Sequence, residues 1–236
     1  MKKVCLVLAV VMMGFVSLVS AQKPFAGTIK THTHIEGTDD PNILSEGEGD
    51  ASIQIFGNYT KMVRSIQEGF GITSISNGDA KSNIVILDIM GMGKYYIETP
   101  AEKILEAQKT VKYDYDKTGE KKTIAGYECE KVVVTITDLE TDESRTFVEW
   151  VTMGLNVGEN INFAETPGLA GYALRSEVKQ DIEGTEVTII TEATEIIPNK
   201  KLKVVDFMMP ADAQDIKSNP QLMKMLGMGG DDEDED

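Results

Sequence analysis

Two runs facing each other across one polar turn constrain this chain more than any other stretch. Residues 122–137 carry Val132, Val133, Val134 and Ile136, β-branched side chains that suit a pleated surface, and residues 145–151 return with Phe147, Val148 and Trp150. Between them, residues 138–144 read Asp-Leu-Glu-Thr-Asp-Glu-Ser, a polar turn. The spacing predicts a long β-hairpin. Both strands are apolar on both faces, as happens where a sheet is covered on both sides.

Hairpin signals recur through the rest of the chain. Ile29, Thr31, Thr33 and Ile35 alternate with Lys30, His32, His34 and Glu36, which predicts a half-buried first strand. Gly57-Asn58 is a two-residue turn between residues 51–55 and 59–63, and pairing across it puts Met62 opposite Ile53 and Lys61 opposite Gln54. Asn77-Gly78 joins a strand at 72–76 to one at 83–89, and a further strand lies at 94–98. Two strands are expected around a Lys117-Thr-Gly119 turn. In residues 172–182, Tyr172, Leu174, Val178 and Ile182 face one way while Arg175, Glu177, Lys179 and Asp181 face the other. Glu183-Gly184 turns that strand into 187–197, and 201–208 reads as the last strand. Residues 37–42 and the glycines after them read as a polar loop, and 153–171 as a long loop, rich in glycine yet apolar. Helical patterns are confined to 100–108, 210–216 and 219–226. The fold class is therefore all-β with a few short helices, about eleven to thirteen strands in an antiparallel meander.

The N-terminus has a basic start at Lys2 and Lys3, an apolar run from Val4 to Val16, and small residues at Val19-Ser20-Ala21, the pattern of a signal peptide cleaved after Ala21. The run is short for a membrane span, and Cys5 lacks the context of a lipid-modified cysteine. The expectation is a periplasmic or extracellular protein that neither spans a membrane nor carries a lipid anchor. Residues 22–217 read as a single domain, 218–230 as a methionine-rich helical segment and 231–236 as a disordered acidic tail. The formal net charge of −16 becomes −18 without Lys2 and Lys3, which excludes nucleic acid as a natural partner. With Cys129 the only other cysteine, no intrachain disulfide is available, and its flanking Glu128 and Glu130 oppose thiolate formation. Cys129 is expected to be a buried structural residue.

Several segments resemble a known group of proteins. Phe25-Ala-Gly-Thr-Ile29, the run Gly119 to Cys129, Pro167-Gly-Leu-Ala-Gly-Tyr-Ala-Leu-Arg-Ser176 and Phe207-Met-Met-Pro-Ala-Asp212 are similar to an uncharacterised domain-of-unknown-function family common in exported proteins of Bacteroidetes. The order of elements more distantly resembles the periplasmic lipoprotein-carrier fold. That resemblance implies a strongly curved open antiparallel sheet, a half-barrel, whose concave face is covered by short helices and loops and shelters acyl chains. The carriers' entry arginine has no counterpart motif here.

Against that frame, Leu155, Phe163, Leu169, Leu222, Met223 and Leu226 are candidate lid residues over a concave face that includes Trp150, because they are apolar side chains in segments too irregular to be strands. His32, His34 and Glu36 share one face of a strand, and Met90-Gly-Met92 and Met223-Lys-Met225-Leu-Gly-Met228 have spacings that soft Cu(I) can use. The same histidines fall on the polar side of their strand, which fits a solvated face better than a metal site. No catalytic motif is present: there is no nucleophile elbow, no zinc-protease helix, no phosphate loop, and no base paired to a nucleophile. No cofactor is implied. The sequence points to a non-catalytic binding protein for an apolar small molecule or lipid. The alternatives are an envelope interaction module with a filled core and its protein partner, and a periplasmic Cu/Zn-binding protein.

Overall fold

A computed structural model describes residues 23–182 and 184–228; residues 1–22, where the signal-peptide pattern lies, Glu183, and residues 229–236 with the acidic tail lie outside the described residues. One open sheet of twelve strands dominates it. In chain order the strands are β1 (Ala26–Glu36), β2 (Gly49–Phe56), β3 (Tyr59–Gln67), β4 (Phe70–Asn77), β5 (Ser82–Ile89), β6 (Gly93–Thr99), β7 (Val111–Ile124), β8 (Tyr127–Asp138), β9 (Ser144–Thr152), β10 (Tyr172–Ile182), β11 (Thr185–Pro198) and β12 (Ala213–Asp215). Three short helices, α1 (Pro41–Gly47), α2 (Ala101–Lys109) and α3 (Pro220–Met225), complete it with two 3-10 turns at Val204–Phe207 and Ile216–Ser218.

The spatial order is β12-β6-β5-β4-β3-β2-β1-β11-β10-β9-β8-β7. Two meanders, β1 to β6 and β7 to β11, are thus joined by a single seam between β1 and β11. The hairpins form where turn chemistry and alternation agree. Ile53 pairs with Met62 and Gln54 with Lys61 across Gly57-Asn58, where Gly57 has a φ of 60° that a side chain would disfavour. The long hairpin of β8 and β9 matches Val134 with Phe147 and Ile136 with Arg145 around the 138–144 turn, where the Asp138 carboxylate accepts the amides of Glu140 and Thr141.

Chain length forces the sheet to curl. β6 and β7 are ten strand steps apart, about 48 Å in a flat sheet. Yet the connection from Thr99 to Val111 is mostly the nine residues of α2, a reach of about 25 Å at most. The β7 edge must therefore swing back toward the β6 edge, which makes a half-barrel. Packing agrees, because Ile124 near the end of β7 shares a buried cluster with Ile29 of β1 and Ile55 of β2.

The chain departs from its sequence pattern in five places. Residues 201–208 form no strand: Leu202 and Phe207 fold down as apolar anchors, buried with Ile75 and Ile86 and packed against Phe56 and Tyr59, so an apolar run was spent on covering a sheet face. Residues 210–216 give β12, which adds to β6 in parallel, followed by a 3-10 turn in place of a helix. The Lys117-Thr-Gly119 turn does not separate two strands, because β7 continues through it with a register shift against β8. The 37–48 loop contains α1, capped by the Asp40 carboxylate with Pro41 in its first turn. At Asn77 the hairpin forms, but its loop is residues 78–81, closed by the Asn77 carboxamide accepting the amides of Asp79 and Ala80.

Candidate functional site

One face of the β7–β10 half follows from strand alternation. Pairing aligns Tyr113 with Ile136, Ile136 with Arg145, Val132 with Glu149, and Glu149 with Ser176. That face carries the floor of a cavity of about 730 Å³, lined by Tyr113, Ile136, Phe147 and Val178 as apolar surface and by Glu149, Ser176 and Gln180 as polar groups. Its roof is the 153–171 segment, which contributes Ala164, Glu165 and Thr166. Arg145 and Lys179 also line it. Across the roof lies a smaller cavity of about 160 Å³ against Ile53, Met62, Ser74, Ser76 and Tyr172, and Ala164 and Glu165 border both spaces. The segment divides the interior of the half-barrel.

The roof is bonded at both ends. Asn162 Nδ2 donates to the Leu169 and Gly171 carbonyls, both at 2.9 Å. Tyr115 on β7 donates its hydroxyl to the Pro167 carbonyl at 2.9 Å, and Gln108 of α2 donates to the Phe163 carbonyl. At the other end Asn58 Oδ1 accepts the Asn160 amide at 3.0 Å, and a Cβ on Gly158 would fall inside the Asn58 side chain. Leu155, Ile161, Phe163 and Leu169 are buried beneath or within it.

Glu149 is the unusual residue of this cavity. It is 8% exposed, and its Oε2 has no partner among the described residues. Burial pushes its carboxyl up to about 8, a rise that Ser176 opposes by hydrogen bonding and the charge of Glu165 reinforces. Glu165 keeps solvent contact through the opening, but protein encloses its other sides and raises its carboxyl as well. Burial raises the Tyr172 hydroxyl, with the charges of Glu165 and Glu149 adding to the effect. Burial likewise pushes Tyr115 up to about 12, helped by Tyr113. The site thus holds proton-bearing oxygens in an apolar setting.

The residues singled out from sequence are distributed over separate places. Leu155, Phe163 and Leu169 belong to the roof segment. Trp150 does not line the cavity: Phe147 and Glu149 point inward, so alternation turns Trp150 to the opposite face. There it is buried in one cluster with Leu155 and Ile161 of the 153–171 segment, its Nε1 donates to Glu177 at 3.0 Å, and Lys131 lies 5.7 Å from the ring centroid. Leu222 is 1% exposed and packs with Leu87, Tyr95 and Ile216, with Met223 against the same cluster; Leu226 is exposed. Thus α3 fills the far end of the sheet and shares no cavity with the roof segment. His32 and His34 stack at 6.3 Å on the polar face of β1, but His32 pairs with Asp50 and His34 with Glu36. Among the described residues no three His, Cys, Asp or Glu side chains gather to hold a metal. Cys129 is wholly buried, and burial raises its thiol. Sequence reasoning missed Glu149, although the parity of Phe147, Glu149 and Val151 puts a carboxylate on an apolar face.

No helix among the described residues is long and apolar enough to cross a membrane. No family model matches the chain, and no curated protein sequence matches it. Two structures of PNGF-II align with the chain. The C2 form aligns at a TM-score of 0.51 and 14% identity over 85% of this chain and 33% of that one. The P21 form aligns at 0.44 and 12% over the same shares. The chain therefore spans about a third of the length of PNGF-II, and at this identity the likeness is one of fold.

Proposed function

We propose that this chain is an exported, non-catalytic binding protein that holds a ligand with an apolar body in the cavity between β7–β10 and the 153–171 segment. The observation that carries the reading is the cavity itself: about 730 Å³, floored by Tyr113, Ile136, Phe147 and Val178, within the ~300–1,000 Å³ common for small-molecule sites. The roof is bonded to β7, α2 and the β2–β3 turn, so the space is largely preformed and little ordering is needed on binding. The resemblance to lipoprotein carriers favours an acyl or other amphipathic ligand, and the leader favours export.

A second reading, an envelope interaction module, draws on the other half of the sheet, where Leu222, Ile216, Leu202 and Phe207 leave the core filled. Titration with neutral octanol decides between them. The binding reading expects saturable uptake that Phe147→Arg abolishes. Uptake unaffected by that change, or no uptake at all, transfers the weight to the interaction module.

A further inference from the structure

We infer that the inner end of the cavity receives an organic ammonium group, so that the ligand is an amine carried on an apolar body. The inference rests on the cavity being the ligand site and adds the chemistry of its polar end. Glu149 is nine-tenths buried, lines the cavity and has an oxygen without a partner among the described residues. Glu165 hangs from the roof beside it, and its charge acts on Glu149. From the remaining elements around this space, Ser176 and Lys179 on β10, Arg145 on β9, Tyr113 on β7 and Tyr172 supply further polar groups.

The two cations among them do not neutralise the carboxyls. Lys179 is paired with Glu186 at 3.9 Å and is 73% exposed, and Arg145 is exposed; neither is bonded to Glu149 or Glu165. No cation figures among the charges that act on Glu149. The inner end is therefore a buried acceptor site lacking its cation.

An ammonium group supplies what is missing. Glu149, protonated near neutrality because burial raises it, gives its proton to solvent as the ammonium arrives, and the resulting carboxylate accepts charge-assisted hydrogen bonds. The alkyl or aryl body then lies on Tyr113, Ile136, Phe147 and Val178. A fatty carboxylate would instead meet the charge of Glu165. A divalent cation would need three or more hard ligands, and no such group gathers among the described residues.

The test is calorimetric titration of the full chain with octylammonium, octanol and octanoate at pH 7, in two buffers of different protonation enthalpy. Octylammonium is expected to bind about tenfold or more tighter than octanol, with close to one proton released. Glu149→Gln is expected to weaken octylammonium about thirtyfold and abolish proton release while leaving octanol within about threefold. Glu165→Gln, at a solvent-reached position, gives a smaller loss of about fivefold and serves if near-ultraviolet circular dichroism shows Glu149→Gln misfolded. Octylammonium no tighter than octanol, octanoate tighter than both, or indifference to both substitutions overturns the ammonium site while the cavity reading stands. Binding of none of the three overturns both.

Discussion

Lys122 of β7 and Glu192 of β11 meet at 2.9 Å although β8, β9 and β10 lie between their strands in the sheet. Only a strongly coiled sheet brings them together. Arg175 stands beside this contact and binds Glu192 and Glu177, each at 2.6 Å, while Trp150 donates to Glu177. The face of these strands opposite the Glu149 cavity is thus tied across the sheet by a partly buried network.

Removing the centre of that network leaves two carboxylates without their main partner. Arg175→Met is expected to cost about 1–2 kcal/mol at pH 7, a figure reduced for solvent screening. Burial by itself would raise Glu177 and Glu192, but bonds from Arg175, Trp150 and Lys122 outweigh it and hold both below the usual range. Their contribution is therefore present above the unfolded carboxylate value of about 4.3 and is lost as pH falls through the lower folded values. Urea denaturation between pH 7 and pH 3 should show a shallower acid decline in the variant.

Glu149 works in the opposite direction. Its folded value of about 8 exceeds the ordinary 4.5, so between these the folded chain binds more protons than the unfolded one and stability falls as pH rises. Glu149→Gln should flatten much of that decline, leave a remainder from Glu165, and be the more stable form at pH 8 by up to about 4 kcal/mol. Denaturant midpoints at pH 5 and pH 8 check it.

The roof depends on one carboxamide. Asn162→Ala removes two bonds to carbonyls at 2.9 Å and should cost about 1–3 kcal/mol. Limited proteolysis should then cut first within residues 153–171, with the strands protected.

Two leucines of the C-terminal segment should behave unequally. Leu222 is 1% exposed, so Leu222→Ala should destabilise by about 2–5 kcal/mol. Leu226 is exposed, and Leu226→Ala should stay within about 0.5 kcal/mol. Neither should change octanol uptake, since α3 lies outside the cavity. Thermal unfolding and the octanol titration read both effects.

Strand identity was legible because alternation and turn chemistry are local: Ile53 opposite Met62 needed only Gly57-Asn58 between them. What could not be read was where the C-terminal apolar residues would go. Val204, Val205 and Phe207 look like a strand, but they join neither edge of the sheet, and Phe207 instead stacks at 6.4 Å on Phe56. The parallel pairing of β12 with β6 depends on a route around the sheet that no local pattern encodes. The candidate lid residues are apolar side chains in irregular segments, a pattern that cannot separate a roof such as Phe163 from a plug such as Leu222. The residue that distinguishes the cavity, Glu149, looked like one of many acids in an acidic chain; only its register with Phe147 and Val132 marks it.

The β1–β11 seam also sets an order of events. Each meander pairs neighbours in sequence and can form early, whereas Ile29 must wait for Ile196, which reaches it only after nearly the whole chain has been made. Until then both meanders carry a raw edge, and the outer edge of β6 stays open still longer, until Ala213–Asp215 arrive. A chain emerging N-terminus first therefore passes through a period when two complementary sheets exist unjoined. In that interval β1 of one molecule could find β11 of another, so the element that unites the fold is also the place where two copies would exchange halves.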